Sequence, residues 1–226
     1  MDDLPGRLLH GRYRVERRLG EGGTGVVWLV ADTREKGMTW ALKELDFSGI
    51  TSAAEHDETM ALFEREADML MRLSHPALPQ VIERFAEGGH LFLVMERVEG
   101  PTLDQALKQR GAPLDEADVA AWSAQVCDVL AYLHTCRPPV VYRDLKPANI
   151  MLTVAGRVKL IDFGIARPLN PLRPGDTVAY GTPGYAPPEQ YAGSAVPASD
   201  VYALGVTMLQ LLTGLDPQAP GFCPTP

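Results

Sequence analysis

The sequence predicts an α+β fold, with a strand-rich first part followed by a helix-rich second part. Up to residue 96, short segments alternate in polarity or run β-branched between glycine and aspartate turn signals. Beyond Pro101 the apolar residues recur at helical spacing instead. With 46% hydrophobic residues in 226, the chain can bury the core of one large domain or two small ones.

The elements follow in order. Tyr13–Leu19 alternates, Gly25–Ala31 is valine-rich, and Thr39–Leu45 is short and apolar around Lys43, which together predict an antiparallel meander. A polar connection over 46–57 leads into a helix predicted over 58–73. Pro76 and Pro79 break that pattern, and strands over 81–85 and 91–96 are joined by the Gly88-Gly89 turn. Val119, Trp122, Val126, Val129, Leu130 and Leu133 mark one face of a helix over 115–136, with Asp115, Glu116 and Asp118 at its positive end. A polar loop then ends in a short strand, and a second strand runs over 157–161. A proline- and glycine-rich segment extends to Glu189, long enough to be a functional loop. The helix over 200–212 is apolar on most faces, which predicts a central place in the helical part.

Charge excludes some partners. The 29 acidic and 21 basic residues give a net charge of -8, which argues against a general binder of nucleic acid or anionic membranes. The 3 cysteines lack the paired spacing of a disulfide framework or zinc site, so a cytoplasmic, reducing compartment is expected. Residues 1–6 carry no apolar signal region, and the stretch 201–212 is shorter than the ~20 residues a membrane span needs. No membrane segment is expected in the chain.

The polar motifs carry the chemistry. Gly20-Glu21-Gly22-Gly23-Thr24-Gly25 fits G-x-G-x-x-G, but the β-branched strand after it predicts a hairpin that lays backbone amides over a phosphate, and not a dinucleotide fold. Gly25 is followed by Val26 and not lysine, so the other phosphate loop is excluded. Lys43 alone reads as a solvated lysine on an edge strand. Glu66 alters that reading, because it shares a helical face with Phe63, Ala67 and Leu70 and so needs a cationic partner, for which Lys43 is the candidate. Glu64 and Asp68 fall on the polar face as solvated charges. Asp162-Phe163-Gly164 alone is a turn after a strand. Beside Asp144, Lys146 and Asn149 it adds an oxygen ligand of the kind a phosphate-bound magnesium ion requires.

The motifs stand in a telling order: Gly20–Gly25, Ala41-Leu42-Lys43, Glu66, Arg143-Asp144-Leu145-Lys146-Pro147-Ala148-Asn149, Asp162-Phe163-Gly164, and Gly181-Thr182-Pro183-Gly184-Tyr185 leading to Pro188-Glu189. In this the chain resembles the eukaryotic-type (Hanks-type) protein kinases, in their bacterial serine/threonine form, from Tyr13 to near Leu215. The resemblance implies a two-lobed kinase-like fold: a small lobe over 1–96 of antiparallel sheet plus one helix, a hinge at 97–101, and a mainly helical large lobe over 102–226. It further implies ATP and Mg2+ as cofactors and proteins as substrates, with Ser/Thr as the acceptors. Leu19, Gly20, Glu21, Gly22, Gly23, Thr24 and Gly25 would cover the nucleotide, and Lys43, oriented by Glu66, would hold its α- and β-phosphates. Val27, Ala41 and Met151 would sandwich adenine, with Met95 as gatekeeper and the backbone of Glu96 and Val98 facing the ring. Asn149 and Asp162 would carry magnesium, Asp144 the substrate hydroxyl, and Lys146 the γ-phosphate.

Arg143 beside the catalytic aspartate points to a phosphate-ordered activation loop, with Thr177 as the expected autophosphorylation site and an unmodified threonine as the alternative. Tyr142 stands where most of the family has histidine, in a column with Phe163, Leu70 and Val81, and its hydroxyl needs a new partner. The chain stops soon after the 200–212 helix, so the large lobe is expected to be incomplete, Glu189 to lack its usual arginine, and that helix to lack cover on one side. A nucleotide-binding pseudokinase, or an inactive incomplete domain acting through protein interaction, is the alternative reading; a dimer or a longer chain with a sensor region stays open.

Overall fold

A computed structural model describes residues 4–22, 25–45, 53–162 and 181–219, the side chains of 53–59 and 62 excepted. These residues divide into two compact units, one comprising 4–74 and 79–98, the other 75–78, 99–162 and 181–219.

The first unit is built on a six-stranded antiparallel sheet in the order β1-β2-β3-β4-β6-β5. Its strands are β1 (Leu8–Leu9), β2 (Tyr13–Gly22), β3 (Gly25–Asp32), β4 (Thr39–Leu45), β5 (Val81–Glu87) and β6 (His90–Glu96). Alternation sends Tyr13, Val15, Val30, Leu42, Phe92 and Val94 into one core, with Trp28 and Trp40 packed against it. Helix α1 (Ala53–Arg72) buries Phe63, Ala67 and Leu70, the face its spacing predicts. It begins earlier than residue 58, because Ala53, Ala54 and Glu55 are helix formers with no breaker among them. Asp68 keeps a half-exposed side chain on the polar face and in addition pairs with Arg84 of β5 at 3.1 Å.

One buried carboxylate organises the start of this unit. Asp32, at the end of β3, has a fully covered side chain that receives Arg12 Nε at 3.0 Å and Nη2 at 2.7 Å. Trp40 Nε1 at 3.1 Å and the amides of Arg34 at 2.9 Å and Glu35 at 3.3 Å donate to it as well. The Arg12 bonds, aided by these donors, outweigh burial and hold the Asp32 carboxyl well below the usual range. Arg12 also reaches Glu83 of β5 at 3.4 Å, and the Tyr13 hydroxyl donates to the same Glu83 carboxylate.

The second unit contains α2 (Leu103–Arg110), α3 (Glu116–Thr135), a 3-10 turn at Pro147–Asn149, the hairpin strands β7 (Ile150–Leu152) and β8 (Val158–Leu160), α4 (Pro188–Tyr191) and α5 (Pro197–Thr213). Helix α2 was not legible from periodicity, yet it carries a capping box: the Thr102 hydroxyl accepts the Gln105 amide at 3.1 Å, and Gln105 Oε1 accepts the Thr102 amide at 2.9 Å. On α3 the buried line runs through Val119, Ser123, Val126, Leu130 and Leu133, and Trp122 is half-buried at its edge. Helical geometry puts Ser123 on that line, since i, i+4 and i+7 from Val119 stack on one face. Helix α3 packs against α5, whose Ala203, Leu204, Val206 and Leu211 are buried while Val201, Tyr202 and Leu209 are exposed. The segment 75–78 joins this unit through Leu160 N–H to Ala77 O at 2.8 Å and His75 Nε2 to Asp128 at 3.2 Å. Among the described residues no helix is long and apolar enough to cross a membrane.

Replacing Asp32 with alanine takes from the half-buried Arg12 its nearest partner and orphans the Trp40 indole N–H, and is expected to destabilise the first unit by roughly 2–4 kcal/mol in urea titrations followed by tryptophan fluorescence. Because the folded carboxyl titrates below its unfolded value, this stabilisation is fully present above about pH 4 and drains away as pH falls further. The gap between wild type and Asp32→Ala should therefore narrow in acid; a gap that widens there would contradict the assignment.

Candidate active site

The loop between α3 and β7 carries the polar cluster, and α5 fixes its backbone. Asp200 lies in the first turn of α5 with its side chain 1% exposed. Its carboxylate accepts the Tyr142 amide at 2.9 Å and the Arg143 amide at 2.8 Å, one on each oxygen, and His134 Nε2 of α3 lies 2.8 Å from Oδ2. A carboxylate this deep is tolerated only with such partners. On the other side of the same residue, Gln190 Nε2 donates to the Arg143 carbonyl at 2.6 Å. Gripped at both ends, Arg143 adopts a left-handed φ of 70°, and its side chain is exposed. Gly181, at φ 120°, makes the Gln190 contact available, since a Cβ there would meet Gln190 Nε2 at 2.4 Å.

Asp144 follows directly and collects three donors. Oδ2 accepts Lys146 Nζ at 3.0 Å and Asn149 Nδ2 at 2.9 Å, and Oδ1 accepts the Thr182 hydroxyl at 2.6 Å. Lys146 Nζ also donates to Thr182 Oγ1 at 2.6 Å, closing the ring. The extended backbone of Lys146, with φ -161° and ψ 162°, puts its side chain back on the side of Asp144. Burial alone would raise the Asp144 carboxyl, but the Lys146 charge and the three donors prevail and hold it below its usual value. The group is an anion fixed in place at neutral pH.

The described residues also fit a magnesium ion. Asn149 is buried, and its Nδ2 donates both to the Asp144 carbonyl at 2.8 Å and to the Asp144 carboxylate, which leaves its amide oxygen as the atom that could meet a cation. Asp162 follows β8 with a left-handed φ of 65°. Among the described residues no group of three or more His, Cys, Asp or Glu could cage a metal. Two oxygen-bearing side chains without a cage suit magnesium, which takes one or two protein ligands and completes its shell with phosphates and water. Tyr142 is buried, and its hydroxyl donates to the Ile161 carbonyl, which supplies the partner the sequence left open.

The first unit places the nucleotide-binding candidates in register. Val27 of β3 pairs with Lys43 of β4, Lys43 with Leu93 of β6, and Ala41 with Leu29 and Met95, so Val27, Ala41, Lys43 and Met95 share one sheet face. Leu42 and Val94 point the other way into the core. Lys43 is 4% exposed, and Glu66 is half-buried on α1. Leu19, Gly20, Glu21 and Gly22 end β2, and Gly22 pairs with Gly25, closing a hairpin. Gly23, Thr24, Phe163, Gly164 and Thr177 lie outside the described residues. The Glu96 amide donates to Gln80 O at 2.8 Å, Val98 ends the unit half-buried, and Met151 of β7 bridges to Thr102. Glu189 has a partner within the described residues: the Ser199 hydroxyl of α5 donates to it at 2.8 Å.

A family model described as the protein kinase domain matches residues 13–220. The chain belongs to the protein kinase family. This kinase domain is 39% identical over 218 residues to the serine/threonine-protein kinase PknL of Mycobacterium tuberculosis, a match covering 96% of the chain and 53% of PknL. It is 38% identical over 227 residues to serine/threonine-protein kinase C of Synechocystis, covering 95% of the chain and 41% of that protein. The chain thus spans about half the length, or less, of these relatives. Its fold matches a crystal structure of the M. tuberculosis PknI kinase domain with a TM-score of 0.75 at 33% identity, covering 99% of this chain and 82% of that one. The antiparallel sheet with one helix, followed by a mainly helical part, is the kinase architecture.

Asp200 and Gln190 join the site without having been singled out in the sequence, and Thr182, quoted there only within the Gly181–Tyr185 motif, joins it through its bond to Asp144. The one available signal was a carboxylate in the first turn of an apolar helix, since a charge that deep must have partners. Asp200→Ala orphans two buried amides and is expected to cost roughly 2–5 kcal/mol in denaturant unfolding of the second unit. A loss under about 0.5 kcal/mol, the level of an ordinary surface substitution, would show that the grip is not structural.

Proposed function

We propose that this chain transfers the γ-phosphoryl group of ATP to serine and threonine hydroxyls of proteins. The observation that supports this most is the ring on Asp144, where Lys146, Asn149 and Thr182 hold an ionised carboxylate in one orientation. Such a carboxylate suits orienting an incoming hydroxyl, and accepting its proton comes second. Lys146 meets the γ-phosphate, and Asn149 and Asp162 hold magnesium, which when bound offsets phosphate charge. In the first unit Lys43, with Glu66, takes the α- and β-phosphates, the β2–β3 hairpin covers them, and adenine lies by Val27, Ala41 and Met95 with the Glu96 and Val98 backbone. Residues 1–96 then act as the small lobe, 97–101 as the hinge and 102–226 as the large lobe. Thr177 is the autophosphorylation site, for which Arg143 supplies an exposed guanidinium.

The test is transfer from labelled ATP to a generic protein substrate, followed by phosphoamino-acid analysis. Asp144→Asn is expected to lower kcat about 10²- to 10⁴-fold while leaving nucleotide binding in place; transfer that survives the substitution sinks the assignment, as does label on tyrosine alone. Since the Asp144 carboxyl is held below its ordinary value, it stays ionised down to about pH 5, and the rate should show no acid-side loss from this group between about pH 8 and that point. Mass spectrometry of the active protein is expected to find phosphate on Thr177, and phosphate elsewhere with none there would remove that site.

A further inference from the structure

We propose that Gln190 is a positioning residue for Asp144, acting on the peptide plane that leads into it. The kinase reading enters only in naming the rate that this plane controls.

Gln190 lies on the four-residue helix α4, is 1% exposed, and turns its side chain to a residue 47 positions back along the chain. A carboxamide this deep needs acceptors for its N–H groups, and the Arg143 carbonyl, which can only accept, takes Nε2 at 2.6 Å. That carbonyl and the Asp144 amide share one rigid plane, so a grip on the oxygen sets the direction in which the chain enters Asp144. The plane before it is set separately, by the Arg143 amide on Asp200 at 2.8 Å.

The same short segment reaches Asp144 a second time, through the Thr182 hydroxyl on Oδ1. Local turns join the two contacts. The Thr182 carbonyl accepts the amides of Tyr185 at 3.1 Å and Ala186 at 3.2 Å, and the Pro187 carbonyl accepts the Gln190 amide at 3.0 Å. Room for the carboxamide is made at Gly181, where a Cβ would collide with it and with the Ala186 Cβ. Asp144 is thus held at its carboxylate by Thr182 and at its backbone through Gln190. Removing the second hold leaves the ring of donors on the carboxylate in place.

The test compares the intact 226-residue chain with Gln190→Met, which keeps the length of the side chain and loses the donor, and with Gln190→Glu, whose carboxyl donates only while protonated. Its readouts are amide exchange over 143–145 without ligand, the Kd of a fluorescent ADP, and kcat for transfer from ATP. Loss of one neutral hydrogen bond predicts exchange faster and kcat lower by roughly fivefold to tenfold in Gln190→Met, with the ADP Kd unchanged. Burial raises a carboxyl, so Gln190→Glu should regain the wild-type rate by about pH 5, each rate being taken relative to wild type at the same pH. Unchanged exchange or an unchanged kcat in Gln190→Met overturns the proposal, as does a loss that falls on the ADP Kd instead. A Gln190→Glu rate that stays as low at about pH 5 as that of Gln190→Met overturns it too, and decides the matter alone if Gln190→Met does not fold. Faster exchange in Gln190→Met, with no transfer from ATP even in wild type, upholds the hold on Asp144 and overturns the kinase reading.

Discussion

The carboxylate of Asp200 is the constraint on which the second unit's chemistry depends. A single buried anion takes the amides of two consecutive residues, Tyr142 and Arg143, and so dictates the path by which the loop reaches Asp144. Hydrogen bonds to a buried charge are among the stronger ones in proteins, and they are directional. The loop does not fold against a generic apolar surface but is hung from one fixed point on α5. Gln190 grips Arg143 from the opposite side, so the segment after Gly181 is registered against the same residue. The left-handed turn at Arg143 is the geometric result of these holds.

Electrostatics in this unit run against the first intuition from net charge. The chain has an excess of acid, giving -8, and Asp144, Asp162 and Asp200 all act on the Tyr142 ring. Asp200 is compensated by amides and His134, and Asp144 by Lys146 with neutral donors. The phenol between them stays neutral for the same reason that an anion there would be costly. Packing brings the carboxylates together, and hydrogen bonds make that arrangement affordable.

Much of this was legible in the sequence, for reasons that differ by element. Strands β3, β4 and β6 showed themselves because β-branched and apolar runs sit between turn residues, and α1 and α3 because their apolar stripes hold helical spacing. Helix α2 escaped periodicity because it is only 8 residues long, although Thr102 and Gln105 spelled out its cap. The motif residues Asp144, Lys146 and Asn149 were readable from their order, but not the mutual bonds that orient them. Gln190 and Asp200, and the bond that Thr182 makes from within its motif, were hidden for a physical reason: they depend on contacts 47, 58 and 38 residues away in the chain, and local spacing carries no trace of such pairs. Asp68 and Glu189 taught the same lesson, each finding a partner that the helical wheel or the family pattern did not supply.

The donor count on Asp144 has a stereochemical consequence. A carboxylate offers about four lone-pair positions, two on each oxygen. Among the described residues, Lys146 and Asn149 fill both on Oδ2, whereas Thr182 fills one on Oδ1. A further hydroxyl can therefore be accepted on one oxygen only, beside the Thr182 side chain. The two oxygens of a chemically symmetric group are thereby made unequal, and the capacity that remains lies on one side only.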